Sequence, residues 1–385
     1  MAQARKFFHG IQYLRGFAAL VVVLVHARHV FRPTQASWAD VGTYSVEIFL
    51  VVSGFVLAHA TAALPTIGPR LPIARAFLWR RLLRLLPFYW AVQLIYSAPH
   101  LVEWLARSGS LRELYWNIDP RLQALALDLL LIPHPHPDRP DAVWPLVVPG
   151  WTLNLEACFY LVFALSLLAR RTSLELAVLM LVGLFLIGRL YHPADTVAGF
   201  YTQECILCFA VGIVAFRLTQ WRLVGTLTLR PWLCGMVGSI GLMIGLGLLP
   251  GLGEGAIPVM VLAAGLVLLV AAMAPDSLRS RTLALLGDSS YAIYLLHTVI
   301  AFPLAHWLIR IAGLDHLRFP SAPDFLNTAP VMLFFVLISA LVGIAGHKWL
   351  EKPLTDGARE LSARVFRHGR GLPSRSEVSE VRTRA

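Results

Sequence analysis

Arg15 and His26 stand eleven residues apart within the apolar stretch from Ile11 to Val30. Eleven steps of about 100° bring a helix almost back to its starting azimuth, so both side chains share one face, about 16 Å apart along the axis. A guanidinium is a permanent cation suited to phosphate and carboxylate, and an imidazole exchanges protons near neutrality. Ionisable groups inside a bilayer-spanning helix are costly and tend to face the protein interior, which makes the pair a site candidate. A snorkelling arginine and a histidine bonded to a neighbouring helix would fit the same spacing. Two carboxylates join them, Glu47 in SVEIFLVVSGF and Glu156 in WTLNLEACFY. A carboxylate beside a histidine holds its tautomer and stabilises the imidazolium, so His26 with Glu47 or Glu156 reads as a general-base pair; either glutamate also reads as a group at the water boundary. RRLLRLLP sets Arg80 and Arg84 four residues apart and Arg81 and Arg84 three apart. Such a cluster suits bidentate phosphate recognition and equally marks a cytoplasmic membrane flank. Arg15 enters from the same side, so four guanidiniums are expected to converge on one mouth. GDSSYAIYLLH places Tyr294 one turn and Ser290 two turns before His297, a polar patch for catalysis or for a channel or acceptor side, or equally a hydrogen-bonded interhelical histidine. Ser53 and Gly54 permit close backbone approach, for helix packing or for a channel.

The elements that must position these residues are membrane helices. The 385 residues are 57% hydrophobic and 14% charged, with a mean hydropathy of +0.66, whereas a globular domain is roughly one quarter charged. Stretches near the ~20 apolar residues that span hydrocarbon fall at 11–30, 43–64, 82–98, 150–169, 174–190, 198–218, 232–250, 256–274, 284–309 and 329–347. The reading is an all-α polytopic integral membrane protein of about ten helices. With the N-terminus inside, 23 of the 33 Lys and Arg fall in cytoplasmic segments and 7 in outer ones, the rest lying within spans. That asymmetry predicts N-in and C-in. It also reads the net charge of +11 as topology and contact with anionic membrane lipids, with no nucleic-acid partner. The first apolar stretch lacks a small-residue cleavage site and is expected to stay as a helix.

Residues 1–353 are read as one transmembrane domain and 354–385 as a polar, disordered cytoplasmic tail. The outer connection 99–149 is too long for a tether; it reads as surface or re-entrant helix followed by Pro-rich coil, in which His134 and His136 are loop residues. Cys205 and Cys208 form a CxxC within an apolar span, expected to pack; no metal site is expected.

IQYLRGFAALVVVLVHA, EIFLVVSGF, RRLLRLLPFYW, WTLNLEACFYLVF, SYAIYLLH and KWLEKPL occur in this order. Together they resemble the acyltransferase 3 family of bacterial membrane O-acyltransferases, in the wording of its exopolysaccharide-production acetyltransferase branch, from about Ile11 to Leu354. The resemblance implies a multi-pass protein of the bacterial cytoplasmic (inner) membrane. It would move an acyl group, acetyl foremost, from cytoplasmic acyl-CoA to a hydroxyl of an extracytoplasmic or lipid-linked polysaccharide. Acetyl-CoA would be a co-substrate, with no permanently bound cofactor. By position it makes His26 the catalytic histidine, Arg15 a donor-binding or positioning residue, Arg81 and Arg84 the arginines after the second helix, and Glu156 the glutamate of the fourth. Glu47 and Leu50-Val51-Val52 depart from relatives that carry Asp and a Phe-rich run. A multi-pass transporter or flippase for a glycan or lipid-linked sugar is the other reading of ionisable groups in membrane helices.

Overall fold

The computed structural model describes residues 8–31, 39–62, 64, 69–107, 119–169, 173–191, 197–220, 257–273, 279–313 and 324–368. The expected span at 232–250 and the chain after 368 lie outside them. Six described segments, His9–Ala27, Val148–Ser166, Ser173–Tyr191, Val197–Thr219, Ser290–Ile311 and Ala329–Arg364, are long and apolar enough to cross a bilayer. The protein is an all-α membrane protein.

Helix α1 (His9–Phe31) packs against α2 (Ala39–Thr61). Helix α3 (Arg70–Arg107) runs unbroken through Pro87 and Pro99, where the sequence suggests a span of 82–98 only. Its 38 residues rise about 57 Å, well beyond the roughly 30 Å of hydrocarbon. Helix α4 (Pro120–Leu129) and a two-stranded hairpin, β1 (Pro135–His136) with β2 (Arg139–Val143), follow in the connection 99–149. Beyond come α5 (Trp151–Ser166), α6 (Ser173–Tyr191), the short α7 (Val197–Tyr201), α8 (Ile206–Thr219) and α9 (Ile257–Ala272). The chain ends in α10 (Arg281–Asp288), α11 (Ser290–Leu296), α12 (Phe302–Ile311), α13 (Asp324–Gly346) and α14 (Lys352–His368).

Two of the sequence expectations change here. The Pro-rich stretch is not coil, because His134 Nε2 meets the buried Asp128 Oδ1 at 2.9 Å, Leu146 N donates to Asp128 Oδ2 at 2.8 Å, and the hairpin closes on α4. His134 Nδ1 also donates to the Pro135 carbonyl at 2.9 Å. With an acceptor at each ring nitrogen the imidazolium is favoured: burial opposes the charge, but these bonds outweigh it and raise the His134 pKa above its usual value. The tail, expected to be disordered from 354, is helical to His368. This helix is amphipathic, lies along α3, buries Thr355 and accepts a 2.6 Å hydrogen bond at Ser362 Oγ from Trp79 Nε1.

Lipid tails are as apolar as leucine, so membrane helices associate through close packing of small residues rather than by excluding water. Gly54 and Gly212 do this for α2 and α8: a Cβ on Gly54 would strike the Phe209 backbone and one on Gly212 the Val51 carbonyl. Gly16 and Gly287 let α1 touch α10, where a Cβ on Gly16 would lie 2.9 Å from Gly287 N. From that crossing α10 and α11 run alongside α1 in the same direction, Gly287 level with Gly16 and His297 level with His26.

Among the described residues two turns are wound as π-helix, His297–Ala301 and His347–Glu351. Each opens on a histidine and precedes a proline by the same step, HTVIAFP and HKWLEKP. A proline has no N–H to give and its ring crowds the carbonyl four residues back; widening the preceding turn relieves both.

Candidate active site

The first-named ionisable residues are set in place from α1 outward. Arg15 Nη1 donates to Gln12 Oε1 at 3.3 Å, and Gln12 Nε2 donates to Asp288 Oδ1 at 2.5 Å, so the guanidinium is tethered to α10 beside the Gly16–Gly287 crossing. Its head lines a cavity between α1, α2, α3, α5, α11 and the second π turn. Arg81, Arg84, Tyr160 and Glu351 line that cavity too, and Phe77 lies 5.7 Å below the Arg81 guanidinium.

On α2 the lining residues are Val46, Phe49, Leu50, Val52, Ser53, Val56 and Leu57. Most of these follow the spacing of one helix face, and Val46 to Leu57 covers about 16 Å of axis, the same rise as Arg15 to His26. The cavity therefore runs from the arginines to the depth of His26. Thr152, Glu156 and Tyr160 line it from successive turns of α5. Glu156 Oε1 accepts from Tyr160 Oη at 2.5 Å and from Ser53 Oγ at 3.2 Å, which ties α5 to α2 at mid-depth. At the far end Thr152 Oγ1 donates to Tyr294 Oη at 3.2 Å, and Phe49 packs 5.6 Å from the Tyr294 ring. Tyr291 Oη donates to the Leu85 carbonyl at 2.9 Å, fixing α11 against α3.

Immediately behind Tyr294 lies a histidine pair. His297, wholly buried, places Nδ1 2.7 Å from the Tyr294 carbonyl and Nε2 3.0 Å from His26 Nδ1; the two ring centroids lie 5.0 Å apart and the ring planes are inclined by 30°.

One cavity thus gathers permanent cations at one end, a hydrogen-bonded carboxylate midway and, just beyond its far end, an imidazole pair. This arrangement can hold a polyanion at the arginines while a reactive group reaches toward a proton acceptor. The acyltransferase 3 profile, described as an acyltransferase domain, matches residues 8–347.

The chain belongs to the acyltransferase 3 family.

This acyltransferase is 30% identical over 334 residues to the exopolysaccharide production protein ExoZ of Rhizobium meliloti, a match covering 83% of this chain and 91% of the relative. It is 26% identical over 296 residues to the putative membrane-bound transacylase BcsY of Komagataeibacter xylinus, covering 74% and 71% respectively. Acyltransferase MdmB of Streptomyces mycarofaciens is 27% identical over 322 residues, covering 74% and 77%. No solved structure matches the chain. Family membership fixes the reaction class as acyl transfer by a membrane enzyme, ahead of transport.

Of the residues singled out in the sequence, Arg15, Arg81, Arg84, Ser53, Glu156 and Tyr294 meet in the acyltransferase's cavity, and His26 and His297 meet each other. Three others do not join them. Arg80 is exposed and outside the lining, so the expected four-guanidinium mouth has three. Gly54 faces α8 rather than a channel. Glu47 is wholly buried and lies within electrostatic reach of Cys205 and Cys208; neither of its carboxylate oxygens has a hydrogen-bond partner among the described residues. Seven residues separate Glu47 from Gly54, so both sit on the α8-facing side of α2, while Ser53 sits on the cavity side.

Glu351, Tyr160 and Thr152 line the cavity without having been singled out in the sequence, and Ser290, read there with Tyr294 and His297, lines it too. Tyr160 and Thr152 were legible as the four-residue neighbours of Glu156 on one helix face. Glu351, held 2.8 Å from His347 Nδ1, stands two residues before Pro353 at the end of the π turn. The repeated H-x5-P spacing was its signal.

Proposed function

We propose that this enzyme takes an acyl group, acetyl foremost, from cytoplasmic acyl-CoA and delivers it to a hydroxyl of an extracytoplasmic or lipid-linked polysaccharide, in the bacterial inner membrane. The observation that carries this reading is the cavity itself, which joins Arg15, Arg81 and Arg84 to the depth of His26 across about half of the membrane. Acyl-CoA is polyanionic and does not cross lipid. Its phosphates rest on Arg81 and Arg84 at the open mouth, Arg15 holds the donor deeper, and the thioester arm extends past Ser53 and Glu156 toward Tyr294.

A sugar hydroxyl is a poor nucleophile at neutral pH. His26 takes its proton as the hydroxyl oxygen attacks the thioester carbonyl. The tetrahedral intermediate then collapses, the carbon–sulfur bond breaks, and the CoA thiolate leaves with the proton that the imidazolium returns. Such general-base assistance contributes about 10²- to 10⁴-fold. Glu156 is already bonded to Ser53 and Tyr160, so it acts on the donor channel rather than as the orienting partner of the base. The exopolysaccharide role in the printed name of ExoZ favours a polysaccharide acceptor.

The test is release of free CoA thiol from acetyl-CoA by the purified enzyme in lipid nanodiscs, with and without an exopolysaccharide acceptor. Release that depends on acceptor and falls at least about 10²-fold in His26→Ala is expected. Full acylation by His26→Ala would overturn the assignment of the base.

A further inference from the structure

The histidine pair has a direction. A carbonyl oxygen only accepts, so the 2.7 Å contact between His297 Nδ1 and the Tyr294 carbonyl requires the His297 proton on Nδ1. With that ring neutral, His297 Nε2 carries a lone pair. The 3.0 Å contact to His26 Nδ1 is then a hydrogen bond only if His26 donates from Nδ1. The second nitrogen of a neutral His26 is left as the unprotonated one.

We propose that His297 is a positioning residue which fixes His26 in its Nδ1–H tautomer, so that Nε2 is the nitrogen that takes the acceptor's proton. This rests on His26 being the general base. The order of protons runs from the Tyr294 carbonyl through His297 to His26, each link set by the one before. A carboxylate in the orienting position would set the tautomer by accepting from Nδ1, as in serine-protease triads. Here a neutral imidazole, itself oriented by a main-chain carbonyl, does the same work in a place where an unpaired buried charge would be expensive.

The surrounding structure holds His297 for this purpose. It sits at the first position of a π turn, closed by the Phe302 N–H onto the His297 carbonyl, and π turns recur at functional sites. Phe302 meets the His297 ring edge-on at 5.4 Å, and Phe335 backs Phe302 at 5.0 Å. The ring cannot turn about without losing both of its hydrogen bonds. When His26 becomes an imidazolium during attack, its Nδ1–H remains bonded to His297 Nε2, so no partner has to be found mid-reaction.

Two readouts separate this from mere packing. In turnover, His297→Leu keeps volume but offers no acceptor, and kcat should fall by at least about 10²-fold while KM for acetyl-CoA stays within about threefold, because the donor's arginines are untouched. His297→Gln presents an amide oxygen near the place of Nε2 and should recover kcat to within about tenfold of wild type, one decade being about 1.4 kcal/mol. In long-range ¹H–¹⁵N spectra of histidine-labelled full-length enzyme at about pH 8, where ordinary imidazoles are neutral, the His26 signals, identified by their loss in His26→Gln, should show a protonated Nδ1 and an unprotonated Nε2. His297→Leu should move His26 toward the Nε2–H form. A wild-type His26 found chiefly as Nε2–H, or a His297→Leu enzyme with unchanged kcat beside an inactive His26→Ala, would overturn the inference while leaving His26 as base. Normal turnover by His26→Ala would remove the base assignment and this inference with it.

Discussion

Arg80, Arg81 and Arg84 lie within five residues of one helix and would serve a topology signal equally, so their separate replacement by Gln discriminates donor binding from orientation. Arg81 is half-buried in the cavity wall, Arg84 lines the cavity but is exposed, and Arg80 is exposed outside it. A charge-assisted hydrogen bond contributes about 1.5 to 3 kcal/mol, which for Arg81→Gln means donor affinity about ten- to a hundredfold weaker at 1.4 kcal/mol per decade. For the solvent-screened Arg84 the scale is that of exposed ion pairs, about 0.2 to 1 kcal/mol, or about 1.4- to fivefold. Arg80→Gln should change affinity by less than about twofold on the same scale. Titration calorimetry with a non-transferable acetyl-CoA thioether, on detergent-purified protein checked for monodispersity, reads all three. Repeating it with a donor lacking the 3′-phosphate tests which arginine holds that group: the variant missing that arginine should scarcely distinguish the two donors, while the other two still should. Equal affinities in all three variants, or the largest loss in Arg80→Gln, would refute the assignment of the cavity mouth to the donor and leave these arginines as orientation signals alone.

Reporter fusions after Ser110 and after Leu372 should give opposite signals, since the basic asymmetry places the outer connection and the C-terminus on opposite sides; matching signals would refute the depth argument that aligns His26 with the far end of the cavity. In the outer connection the raised pKa of His134 means that its ion pair with Asp128 stabilises the hairpin fully below the ordinary histidine pKa of about 6.5, and that this contribution fades as pH rises through the higher folded value. Hydrogen exchange at residues 135–146 should therefore quicken, beyond its intrinsic base catalysis, from pH 6 to pH 9 in wild type and much less in His134→Phe; an equal response in the two proteins would refute the anchor.

The sequence by itself determined that the chain lives in a membrane, because a span of apolar residues is a local property and hydrocarbon accepts little else. It also determined that Arg15 and His26 share a face, since that follows from the helical period alone. Periodicity also divides α2: Val46, Phe49, Ser53 and Val56 form one stripe, and Glu47 with Gly54 another, yet nothing local says which stripe meets the cavity and which meets α8. The same limit separated Arg81 from Arg80. The azimuth of Arg84 lies between theirs, so the three could be divided only by where α5 and α11 pack against α3. The pairing of His297 with His26, across 271 positions of sequence, depended on α10 and α11 running alongside α1 from the Gly16–Gly287 crossing. The loss of two Cβ atoms there is written in the chain. The neighbour it admits is chosen only when the helices assemble, because contact between helices is a property of the pair and not of either one.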